Sequence, residues 1–98
     1  MHSAFEWNEQ KAQVNLKKHG ISFEIALRIF DDPLALSMQD RDVAGELRWQ
    51  TIGMVDGCLV LLVAHTITAL DVEEEVIRII SARRADRLER KRYENEHR

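Results

Sequence analysis

VIRIISARRADRLERKRYE, residues 76–94, is the stretch on which the division of this chain into strands and helices turns. Its first part is β-branched, and its second part alternates charge at helical spacing, so a strand gives way to a helix inside it. The break is expected at Ser81, with a strand over Val76–Ser81 and a helix over 83–97. Arg83 and Arg84 then open the helix, where partial positive charge favours acidic side chains instead. Two readings account for them. An anion such as phosphate meets the free N–H groups, the Ser81 hydroxyl and the guanidinium forks. Alternatively, the arginines pair with the acids of Glu73-Glu74-Glu75.

Upstream, the period is that of strands. LALSM (34–38) is a short candidate, ELRWQTIGM (46–54) a longer one, and Val55-Asp56-Gly57 a turn into CLVLLVAHT (58–66). The segment ITALDVEEE (67–75) reads as a long acidic loop. Further back, Ser22 caps a helix whose Phe23, Ala26, Leu27 and Phe30 form one apolar stripe, and Asp31-Asp32-Pro33 stops it. Asn8 caps a preceding helix that Gly20 closes, and FEW (5–7) is a β-prone opening. The order β-α-α-β-β-β-β-α with tight turns predicts an α+β fold. Its antiparallel sheet has two N-terminal helices and one C-terminal helix, segregated on one face.

With 98 residues the chain is expected to be a single domain over 1–98. One cysteine, Cys58, excludes an intramolecular disulfide framework and points to a reducing cytoplasm. The longest apolar run, Cys58–Ala64, is too short for a membrane span, and no signal pattern opens the chain. Net charge is −3, which alone disfavours nucleic acid. The distribution changes that: residues 83–98 hold seven Lys/Arg against four acids, a local basic footprint.

Alternation places Glu46, Arg48 and Gln50 on one strand face and Leu47 and Trp49 on the other. Arg78 sits among Val76 and Ile80, held either for Glu46 or for a ligand. His65 ends the most apolar strand, as a polar cap or as a catalytic group. Asp86/Arg90 and Glu89/Arg92 are spaced for pairing along the last helix, and Tyr93 is expected to pack on the sheet or to stack on a base. There is no Gly-rich phosphate loop, no GxSxG, no HExxH and no acidic cluster for Mg²⁺, so no metal or cofactor is expected. Arg, His, Glu, Ser, Lys and Tyr are suited to metal-independent attack of an RNA 2′-hydroxyl on its own phosphodiester. That reaction needs a base, cations for the phosphorane and an acid for the leaving oxygen.

FEWNEQKAQVNLKKHGISFEIA (5–26), IFDDPLA (29–35), GELRWQTIG (45–53), LLVAHT (61–66) and IRIISARRADRLERKRYE (77–94) resemble the BrnT family, toxins of a type II toxin–antitoxin system. The resemblance covers most of the chain in order. It implies a RelE-like fold, ribonuclease activity that slows translation, and neutralisation by a ribbon-helix-helix, BrnA-like antitoxin in a hetero-oligomer. It also singles out Lys18 and His19 in KHG, Glu46 and Arg48 in GELR, His65 in AHT, and Arg78, Ser81 and Arg83 in RIISAR. Glu46, Arg48, His65, Arg78 and Arg83 are the expected catalytic set, with Glu46 or His65 moving the proton. Lys18, His19, Ser81 and Arg84 are the expected substrate contacts. A non-catalytic relative that binds the antitoxin as a corepressor is the alternative. The chain reads HTIT where relatives read HTER, one cation fewer, and its next loop is longer.

Overall fold

The computed structural model describes residues 2–96; the expected helix end at 97 lies outside them. The elements are β1 (His2–Glu6), α1 (Glu9–His19), α2 (Phe23–Ala26) continued by a 3-10 turn (Leu27–Asp31), β2 (Leu36–Val43), β3 (Glu46–Val55), β4 (Leu59–Ala69), β5 (Glu74–Arg84) and α3 (Arg87–Asn95). The strand order is β1-β5-β4-β3-β2. β2 to β5 form an antiparallel meander, but β1 joins β5 in parallel, so the sheet is mixed where an antiparallel one was expected. Tight turns fix the direction of β2 to β5. β1 reaches β2 only through two helices, and that connection leaves its direction free.

Three further expectations are corrected. The hairpin after β4 is no long loop: its strands run to Ala69 and from Glu74. Asp71 closes the turn by accepting from the Glu73 and Glu74 N–H groups at 2.8 and 2.9 Å. β5 continues three residues past Ser81, so Arg83 and Arg84 are strand residues and no helix dipole opposes them. The helix begins after Asp86, whose carboxylate takes the Glu89 N–H while Glu89 takes the Asp86 N–H, a reciprocal capping box. Asp86 and Glu89 are thus engaged at the cap, not in pairs with Arg90 and Arg92.

The helices also lie on both faces of the sheet. Phe23, Ala26 and Ile29 seal one face over Val55, Leu61, Val63, Ile79 and Ala82, the larger core. Gly53 lets Ile29 approach: a Cβ there would sit 2.7 Å from the Ile29 Cβ. On the other face α3 contributes Tyr93 to a small cluster with Ile52 and Leu62. The Tyr93 hydroxyl donates to Asp32 at 2.5 Å, and Asp32 also accepts from the Met54 N–H at 2.8 Å. Burial, and then that carboxylate, push the Tyr93 phenol up to about 12. Asp32 is therefore more than a helix stop, since it fastens α3 to β3.

Candidate functional site

The half of the second face that α3 leaves uncovered carries the polar residues. Trp49 pairs with His65, so Arg48 stands beside Thr66, and Thr66 pairs with Arg78. One step along, Gln50 pairs with Ala64 and Ala64 with Ser81; a further step gives Ile52, Leu62 and Arg83. Adjacent strands lie about 4.8 Å apart, so Arg48 and Arg78 stand about 10 Å apart across one row. Ala64 and Ser81 are small and form a low floor between that row and Arg83. A bulge in β5, with Ile80 as the extra residue opposite the step from Ala64 to His65, keeps Arg78, Ser81 and Arg83 on one face.

Glu46 joins the two arginines of the first row. Its Oε1 accepts from Arg78 Nη2 and lies 3.4 Å from Arg48 Nε, an ion-paired triad. Arg48 Nε is buried with no hydrogen-bond partner at that distance. The Arg78 and Glu46 side chains are each 40 % exposed, so the triad is open to a ligand. Arg83 stands apart from it. Its two Nη atoms bind both Glu89 oxygens, at 2.7 and 2.9 Å, a bidentate fork across to α3. That hydrogen bond raises the Arg83 pKa and, seen from the other partner, holds the Glu89 carboxyl below its ordinary value.

His65 lies on the other face. It is fully buried, with Nε2 2.7 Å from Thr51 Oγ1 and its ring edge-on to Phe30 at 5.0 Å. Burial lowers its pKa below 6.5, so the ring is kept neutral. Arg84 is exposed and projects opposite to Arg83, as neighbouring strand residues do.

Lys18 and His19 meet Ser81 elsewhere. They line a groove of about 470 Å³ between α1 and β5, next to a cavity of about 370 Å³ that Trp7 and Arg78 line. The groove exists because β1 pairs with β5 only as far as Arg78. Beyond it Asn15 takes over the strand edge: its amide donates to the Ala82 carbonyl at 2.8 Å and accepts the Ala82 N–H at 3.1 Å. Sequence reasoning missed Asn15 and Lys11, because a polar residue on a helix gives no sign that it will finish a sheet. Among the described residues no three His, Cys, Asp or Glu side chains form a group that could hold a metal ion. No helix among them is long and apolar enough to cross a membrane.

Residues 7–89 match the family model described as ribonuclease toxin, BrnT, of type II toxin-antitoxin system. A solved structure of the Brucella abortus ribonuclease toxin BrnT is similar in fold, with a TM-score of 0.61 and 23 % identity over 89 % of this chain and 100 % of that one. No curated protein matches. The chain belongs to the BrnT family of ribonuclease toxins, whose place in a type II toxin–antitoxin system implies an antitoxin partner and an RNA target.

Proposed function

We propose that this BrnT-family toxin cuts RNA internally, without a metal, through the Glu46–Arg48–Arg78 triad. The observation that carries the reading is a carboxylate set between two guanidinium groups on an open sheet face. Glu46 removes the proton from a ribose 2′-hydroxyl. The 2′-oxygen bonds to phosphorus, the bond to the 5′-oxygen breaks, and that oxygen takes a proton from water. The products are a 2′,3′-cyclic phosphate and a 5′-hydroxyl. Arg78 and Arg48 turn from Glu46 to the two equatorial phosphoryl oxygens, where negative charge grows in the phosphorane. Arg83 reaches the same phosphate from across the Ala64–Ser81 floor.

Glu46 is favoured over His65 as the base because a base must reach the proton it takes. The His65 ring is enclosed on the helix-covered face. The two-ended groove holding Lys18, His19 and Ser81 receives the neighbouring RNA. Arg84 projects to the opposite face from Arg83 and stays outside the phosphate site, whereas α3 adds its exposed basic residues beside Arg83. A ribbon-helix-helix, BrnA-like antitoxin neutralises the toxin in a hetero-oligomer by covering this basic surface, in the cytoplasm.

Cleavage of a defined RNA in excess EDTA, with end-group analysis, tests the reaction. Cyclic or 3′-phosphate ends are expected with the metal removed, and 3′-hydroxyl ends or an absolute Mg²⁺ requirement would refute it. Glu46→Gln and Arg78→Ala should each lower kcat by about 10²-fold or more, the usual scale for a general base or a charge-stabilising donor.

A further inference from the structure

The two cavities beside α1 share a wall. Asn8, Lys11 and Ile80 line both, while Trp7 and Arg78 belong to the smaller, and Lys18, His19 and Ser81 to the larger. Arg78 is also the partner of Glu46, so the smaller cavity begins where the proposed cleavage site ends. We infer that the paired cavities hold two consecutive nucleosides of single-stranded RNA on one side of the scissile phosphate, with the intervening phosphate on Lys11. The inference rests on the RNA-cleavage reading above.

Size, charge and surface chemistry agree with that occupant. Each cavity, about 370 and 470 Å³, falls in the range of small-ligand sites and is ample for one nucleoside. Arg48, Arg78 and Arg83 are all ion-paired within the protein, whereas Lys11 and Lys18 make no ion pair with any described residue. Lys11 and Lys18 therefore bring uncompensated charge to the groove, available to a phosphate backbone. Glu6 is the one acid among the described residues on either wall. Trp7 gives the first cavity an aromatic surface for an unstacked base, while Val14 and Ile80 give the second an apolar wall. The Ser81 hydroxyl and the His19 ring supply hydrogen-bonding groups for a base edge.

Binding of a fluorescent 2′-O-methyl hexanucleotide, which has no 2′-hydroxyl to react, tests the groove separately from cleavage. Lys11→Ala and Lys18→Ala should each weaken it about tenfold, the value of one charge-assisted contact. Each should also reduce the slope of log K against log salt by about 0.7. Val14→Glu, at a position 65 % exposed, should weaken binding without disturbing the fold. Lys17→Ala removes an equal charge from outside the groove and should leave affinity within about twofold.

Three outcomes overturn the inference. The double lysine variant could bind as tightly as the wild type with the same slope. Lys17→Ala could cost as much as Lys11→Ala, which would reduce the effect to net charge. The groove variants could weaken only the antitoxin, which would assign the groove to a protein segment. Groove-dependent binding of the hexanucleotide with no cleavage of the matching 2′-hydroxyl RNA would uphold the groove and refute the cleavage reading instead.

Discussion

Asn15→Ala isolates the contact that completes the sheet. Asn15 is 6 % exposed, and its amide makes three hydrogen bonds: to the Ile21 carbonyl at 3.0 Å, to the Ala82 carbonyl at 2.8 Å, and from the Ala82 N–H at 3.1 Å. Truncation leaves one donor and two acceptors without partners at the rim of the core. A buried group left unsatisfied costs about 1–3 kcal/mol, and water entering from the groove recovers part of it. Alanine is the better helix former by about 0.5 kcal/mol, which offsets a little more. The net loss should be about 2–3 kcal/mol, a fall in Tm of roughly 10–20 °C for a domain of this size. Urea denaturation should show the lower midpoint with an unchanged m-value. Asn15→Asp makes the test sharper. It keeps an acceptor for the Ala82 N–H but sets a carboxylate against two carbonyl oxygens, so it should be no more stable than Asn15→Ala at pH 7. It should recover part of the loss in acid, where the carboxyl can donate. A loss under about 0.5 kcal/mol for Asn15→Ala, or an aspartate variant as stable as the wild type, would refute this account of the strand edge.

Two pH effects follow from the ionisable groups. Burial lowers the His65 pKa, so its neutral form is favoured in the fold; that stability is complete above about 6.5 and is lost as pH falls toward the folded value. His65→Gln should flatten the stability profile between pH 7 and 5 in urea titrations, while the kcat of the folded fraction stays within about threefold. Glu89 has a depressed pKa, so its contribution is present above the ordinary carboxylate value and is lost as pH falls through the depressed one. Glu89→Gln should cost less than about 1 kcal/mol at pH 7, because the Arg83 side chain is 39 % exposed, and should lose less than the wild type on acidification. Gly53→Ala brings a Cβ against Ile29 and should destabilise by about 1–3 kcal/mol in the same assay.

Much of the element order was legible because local signals carry it. Asn8 and Ser22 cap their helices through the side-chain bonds that their residue types favour, to Lys11 N–H and Ile25 N–H. Gly20 ends α1 in the left-handed conformation at φ 71°. Period-two alternation put Glu46, Arg48 and Gln50 on one face, and β3 has them there. What local signals do not carry is the direction of β1, the far face under α3 and the end of β5. Arginines at a strand end and at a helix start look alike in sequence. The difference is made by Asp86, whose capping box with Glu89 starts the helix at Arg87.

The candidate site divides along the same line. Arg78 beside Glu46 was foreseeable, since a lone cation on an apolar strand needs an anion within reach, and alternation supplied Glu46. His65 was ambiguous because alternation puts it with Leu61 and Val63 but does not show that Phe30 covers that end of β4, and the bulge at Ile80 that keeps Arg78 and Ser81 together on the open side is invisible in the residue pattern. The residues that follow His65 pair as strand instead of hanging as a loop, so the hairpin extends beyond the triad. Arg48 and Arg78 are the arginines ion-paired with Glu46 among the described residues. In the proposed reaction, substrate phosphate competes with Glu46 for the same two guanidinium groups. In that proposal the competition releases the carboxylate at the moment a base is needed, which would couple phosphate binding to activation of the 2′-hydroxyl.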